Sequence, residues 1–137
     1  MPAIAAEYFG VWDKEPFGPP AYGMYARNVK GLSLHNVRFE FEKNDLRPAL
    51  IFDNVQDACI TGLSVQGHPD AESSLRVINS KDILFSGTRV LTPAAVFLRM
   101  EGAGNEGISV QGGDLRKATK QLVLADGAGE KAVKFGV

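Results

Sequence analysis

Apolar residues along most of this chain alternate with polar ones, and the alternation is interrupted at regular intervals by glycine, asparagine or aspartate. Leu32 and Leu34 are followed by Val37 and Phe39, and Ile83 and Phe85 by Val90. A period of two puts every second side chain on one face, which predicts strands. The pattern also repeats. A shift of 25 residues brings Asn79, Asp82, Ile83, Phe85, Gly87 and Val90 under Asn54, Asp57, Ala58, Ile60, Gly62 and Val65. A second step of 25 adds Ile108, Val110, Gly112 and Leu115, and a third adds Val133 and Phe135. Going backward the offset is 26, which lays Asn28, Leu32, Leu34, Val37 and Phe39 over Asn54, Ala58, Ile60, Leu63 and Val65. Five copies at a near-constant period are the signature of a repeat architecture.

Two further columns lie upstream in each copy, Met24, Leu50, Leu75 and Met100 in one and Ala26, Phe52, Val77 and Gly102 in the other. Each copy thus holds three strand segments too short to contain a helical crossover. Between the first two segments stands Asn28, Asn54 or Asn79, with Gly104 and Gly129 in the same column, residue types that accept a left-handed backbone at low cost. The predicted fold is all-β: a right-handed parallel β-helix, or solenoid, of about five coils with about 25 residues each, spanning residues 22–137. With coils roughly 4.8 Å apart the body would stand about 24 Å tall. About twenty inward side chains, at roughly 1.5–3 kcal/mol each, oppose the entropy of ordering the chain. Both ends of such a body expose strand edges.

Residues 1–21 fall outside the period, and their Tyr8, Phe9, Trp12 and Phe17 among glycines and prolines predict an irregular arm that packs rather than a flexible tail. The outer face offers it, or a partner, a place to pack. Ile51, Ile78, Cys59 and Leu84 occupy outward positions where a solvated solenoid would carry polar residues. Together with Trp12 they are the expected interface of a homo-oligomer, a trimer or a dimer, which would also hide the open edges.

Composition narrows the partners. The net charge is −1, with 15 basic residues scattered among 16 acidic ones, which argues against nucleic acid and against a polybasic membrane surface. Cys59 is the one cysteine, so no internal disulfide is expected. No charged-then-apolar leader and no apolar run near 18 residues stands out, so neither signal peptide nor membrane span is predicted in this chain. Chemistry-bearing residues gather on the connectors at 40–48 and 66–74. The second holds His68, Asp70 and Glu72, groups able to bind a metal or move protons, but their spacing matches no strong ligand pattern and His68-Pro69-Asp70 is also good turn chemistry. No metal and no cofactor is expected. Arg27, Arg47, His68, Asp70 and Arg76 along one side are the expected contacts for an acidic polysaccharide. Asp53 and Asp57 are the carboxylates nearest each other on the body, but Asp57 shares a column with Gly31 and Asp82, which reads as a turn.

The stretch from Pro20 to Leu32 (PAYGMYARNVKGL), the Asn36-Val37-Arg38-Phe39 that follows, and the run from Arg47 to Val55 (RPALIFDNV) resemble the C-terminal part of bacterial polygalacturonase-like glycoside hydrolases of family 28. The resemblance covers roughly residues 15–90. It implies a right-handed parallel β-helix and cleavage of α-glycosidic bonds in pectin-type polysaccharides by paired carboxylates; such enzymes are usually exported, and no compartment is assigned to this chain. The family's catalytic motifs of the Asn-Thr-Asp, Asp-Asp and Arg-Ile-Lys types do not occur here, and the nearest approach to its Gly-His-Gly is Gly67-His68-Pro69. No catalytic residue is assigned. The resemblance therefore implies the C-terminal third of such an enzyme standing alone without its active site.

Overall fold

The computed structural model describes residues 20–43 and 45–136. The first pass is made by β1 (Met24–His35) and β2 (Arg38–Phe39), the second by β3 (Leu50–Thr61) and β4 (Ser64–Val65). The third comprises β5 (Leu75–Ile78), β6 (Lys81–Ser86) and β7 (Arg89–Val90), the fourth β8 (Ala94–Glu101) and β9 (Glu106–Gln111), and the fifth β10 (Ala118–Ala125) and β11 (Val133–Gly136). Every strand pairs in parallel with its counterpart one pass away. In the first two passes one bent strand runs through both leading segments, so the large sheet forks at β3 into the branch β5-β8-β10 and the branch β6-β9-β11. The three-stranded sheet β2-β4-β7 forms the remaining side, and beyond β7 it continues only as a bridge between Arg89 and Asp114. The result is a parallel β-solenoid of about four turns. The helical content of the described residues is one 3-10 turn, Glu130–Ala132, and none of their helices is long and apolar enough to cross a membrane.

The corners explain the punctuation. Asn28, Asn54, Asn79 and Gly102 all have positive φ, between 43° and 92°, as do Gly31, Asp57 and Asp82, each three residues further on, and Gly107, five residues beyond Gly102. A third such column is Asn36, Gly62, Gly87 and Gly112. Asparagine, aspartate and glycine alternate in these columns because they are the residues for which the left-handed region costs least. Asp57 is therefore a corner residue. In the first column Asn54 donates from Nδ2 to Asn28 Oδ1 at 2.9 Å, and the Gly104 amide donates to Asn79 Oδ1 at 3.0 Å. The left-handed position above Asn79 is Gly102, not Gly104 as a constant period predicts.

That difference belongs to a larger one. The second-segment columns pair as expected, Ala58 with Ile83 and Ile83 with Ile108, and Ile60 with Phe85 and Phe85 with Val110. The first-segment columns slip by two at the fourth pass: Leu75 pairs with Leu98 and Val77 with Met100. The connector into β8 is two residues shorter than the one into β5, and the corner before β9 is two residues longer than the one before β6. The two changes cancel, so the next segment is back on the 25-residue spacing.

The core is a stack of inward columns: Leu50, Leu75 and Leu98; Phe52, Val77 and Met100; Ile60, Phe85 and Val110; Val65 and Val90. Phe52 and Phe85 stack across it with centroids 6.1 Å apart. One inward column changes from apolar to polar, running Val29, Val55, Ser80, Asn105. Ser80 Oγ accepts the Val55 amide at 3.0 Å, and Asn105 Oδ1 accepts the Ser80 amide at 2.9 Å. Ser80 Oγ also donates to Ile78 O, and Asn105 Nδ2 donates to the carbonyls of Glu101 and Gly102. Every buried polar atom in this ladder that would otherwise be costly has a partner. At the first pass the Tyr22 hydroxyl donates to Gln66 O at 2.7 Å and accepts the Gln66 amide at 3.0 Å, with Phe41 edge-on at 5.2 Å. Burial raises the Tyr22 phenol to about 12.

Candidate functional site

In β1, β3, β5, β8 and β10 the residues between the inward positions point away from the core, and parallel pairing stacks them into two outward columns. One reads Tyr25, Ile51, Arg76, Arg99 and Val123, the other Arg27, Asp53, Ile78, Glu101 and Ala125. Glu101 is the centre of the upper half. Arg76 donates to it from Nε at 3.0 Å and from Nη2 at 2.8 Å, and Arg99 donates from Nε at 2.6 Å. Arg99 Nε also lies 2.6 Å from Glu72 Oε1, which ties the 66–74 connector to this face. The Glu101 side chain is only 7% exposed. Burial pushes its carboxyl up, but the hydrogen bonds and charges of Arg76 and Arg99 outweigh that and hold it below the usual carboxylate range. In the lower half Asp53 Oδ2 accepts from the Tyr25 hydroxyl at 3.4 Å and lies 3.8 Å from Arg27 Nε.

Of the expected ligand contacts, the structure brings Arg27 and Arg76 onto this one face in adjacent columns. Arg47 stands on the connector between β2 and β3, clamped to Asp45 through Nε at 2.9 Å and Nη2 at 2.6 Å. Arg47's hydrogen bonds hold the Asp45 carboxyl below its ordinary value. His68 and Asp70 lie on the 66–74 connector, where His68 Nδ1 accepts the Asp70 amide at 3.0 Å and sits 3.9 Å from the Asp70 carboxylate. That geometry is a self-bonded turn. Among the described residues no group of three or more His, Cys, Asp or Glu is arranged to hold a metal.

The apolar outward residues do not form one stripe. Ile51 is 1% exposed and so offers no surface, and Ile78 stands between Asp53 and Glu101 on the charged face. Cys59 and Leu84 are paired neighbours, half-buried, on the outer face of β3 and β6, where Ser33 and Ser109 flank them. Trp12 lies outside the described residues.

Sequence reasoning passed over Arg99 and Glu101, the two residues that organise the charged face. A signal was present: Arg76 and Glu101 are opposite charges one period apart, which in a stacked solenoid places them on neighbouring rungs. Comparison with protein families, with curated proteins and with solved structures finds no match to this chain.

Proposed function

We propose that this chain is a non-catalytic parallel β-helix module, of the pectinase-like glycoside hydrolase type that its sequence resembles, and that its copies associate with one another. The observation that carries the first half is the state of Glu101. Glycoside hydrolysis by paired carboxylates needs one that is kept protonated as the acid, about 5–5.5 Å or about 6.5–9.5 Å from an ionised partner. The most buried carboxylate on the outer face is instead neutralised by two arginines and held ionised. Asp53 is shared between Tyr25 and Arg27, and Asp57 is spent on a corner. The test is reducing-sugar release from polygalacturonate and rhamnogalacturonan, run beside light scattering. Sugar-free reactions from a species heavier than the 14.8 kDa chain support the reading, and sugar released by a monomer refutes it.

A second reading, binding of an acidic polysaccharide, is favoured by one observation. Arg27, Arg76 and Arg99 share the charged face with side chains 52%, 33% and 27% exposed. An anionic glycan laid across the rungs would meet all three. Calorimetric titration with oligogalacturonate should then give heat that fades with added salt and is lost in Arg76→Ala/Arg99→Ala. Equal heat from a neutral glucan would remove the charge-based reading.

A further inference from the structure

The fifth pass differs from those below it in that, among the described residues, no strand pairs on its far side. Among the described residues β10 pairs with β8 alone and β11 with β9 alone, so each presents a row of backbone N–H and C=O groups along its far edge. The inward side chains of this pass, Leu122, Val133 and Phe135, are half-buried, and Leu124 is 37% exposed. The residues directly beneath them, Leu98, Ile108, Val110 and Met100, are all at 2% or less. Hollows of about 300 Å³, beside Leu115 and Phe135, and about 470 Å³, beside Val133, open at this end.

The first pass is the reverse case. Among the described residues β1 pairs with β3 alone and β2 with β4 alone; Met24 and Ala26, at the start of β1, are buried, whereas Leu32, Leu34, Val37 and Phe39 are half-buried. Each interface inside the solenoid is the upper surface of one coil covered by the lower surface of the next, with the same apolar columns on both sides. The fifth pass presents that upper surface, and the Leu32 to Phe39 part of the first pass presents that lower one. We propose that the C-terminal rung accepts the N-terminal coil of a second copy, head to tail, so that the intermolecular junction continues the intramolecular one. This deepens the self-association reading above and rests on it. Leu32 and Leu34 of the incoming copy lie over Val133 and Phe135, as those lie over Ile108 and Val110. A head-to-tail contact is heterologous and does not close, so the products are short filaments of no fixed number. In that register Lys30 of the incoming coil stands over Lys131 of the accepting one, with Lys134 three residues further along opposite Ser33. Like charges at the junction keep it weak, and added salt, by screening them, tightens it.

The experiment uses the full chain, half of it labelled with heavy nitrogen, in light scattering over a range of concentration and sodium chloride, followed by lysine cross-linking and mass spectrometry. The mean mass should rise with both protein and salt, and heavy-to-light cross-links should join Lys30 to Lys131 or Lys134. Leu124→Lys should weaken assembly at least about tenfold while leaving strand circular dichroism intact, and Leu34→Glu should do the same from the other end. A mass of 14.8 kDa under every condition overturns self-association altogether. An oligomer of fixed mass, or one joined through other lysines, leaves self-association standing and overturns end-to-end stacking. The cross-link map of the unmodified chain decides the matter even where a variant fails to fold.

Discussion

The second and fifth passes of this solenoid are built from the same columns and end in different conditions. Leu50, Phe52 and Ile60 are wholly buried, whereas Leu122, Leu124 and Phe135, which stand in the same three columns, are half in solvent. Residue type does not separate them, since leucine and phenylalanine occur in both. What separates them is whether another coil lies above. In a solenoid, burial is supplied by the neighbour about one period away in sequence, and each coil's stability is borrowed from the two it touches.

The sharpest way to break the comparison is to place one charge at two heights of one column. Phe85→Asp, between Ile60 and Val110, should abolish the folded state because it leaves an unpaired charge among residues with no access to water. Phe135→Asp, one column-mate higher at the open end, should leave a folded, strand-rich protein. Far-ultraviolet circular dichroism and urea unfolding of the pair would decide, and equal losses would mean that the last rung is as closed as the middle. Next in size is Glu101→Gln, expected to cost about 1–3 kcal/mol because Arg76 and Arg99 lose their shared acceptor charge. Since folding lowers this carboxyl from its ordinary value of 4.5, its stabilisation is fully present above that pH and is lost as pH falls through the lower folded value. Urea midpoints of the parent should therefore drop on acidification over that range, with the drop reduced in the variant.

At the first pass, Tyr22→Phe should cost about 1 kcal/mol by removing the paired bonds to Gln66. Folding raises this phenol from 10.0 to about 12, so its stabilisation is complete below pH 10 and lost as pH climbs toward 12, and the variant should melt with a flatter alkaline limb. The smallest effect belongs to Leu124→Ala, expected within about 0.5 kcal/mol for the isolated chain, as for other exposed positions. A loss near the 2–5 kcal/mol of a buried leucine, read by urea unfolding of the monomer, would show that the last rung is covered.

These contrasts also show what the amino-acid pattern makes legible. The period, the parallel stacking and the inward second-segment residues follow from alternation and spacing alone, because each column must stay apolar to be buried from both sides. The slip at Leu98 and Met100 escapes the same reading for a physical reason. A displacement of one residue would have turned a strand inside out and been visible at once, whereas a displacement of two keeps every side chain on its own face. The Ser80 and Asn105 ladder is hidden because polar residues at a bend look like ordinary turn residues until the backbone aims them inward. On the candidate site, Arg27 and Arg76 are legible as cations on one side, and Glu101 is legible one period beyond Arg76; the role of Arg99 is not, because the slip by two places it directly over Arg76 while it bonds Glu101 along its own strand.

The paired changes around β8, two residues removed from one bend and two added at another, show where this fold keeps its slack. Chain length can migrate around the circumference of a coil, from one edge of the prism to another, provided that the total is returned before the next ladder begins. Repeats descended from a common unit can therefore acquire a longer protrusion on one edge at the expense of the neighbouring edge, with no change in the height of the stack. Variation in such a lineage would be conserved as a sum around each coil while the individual bends are free to differ.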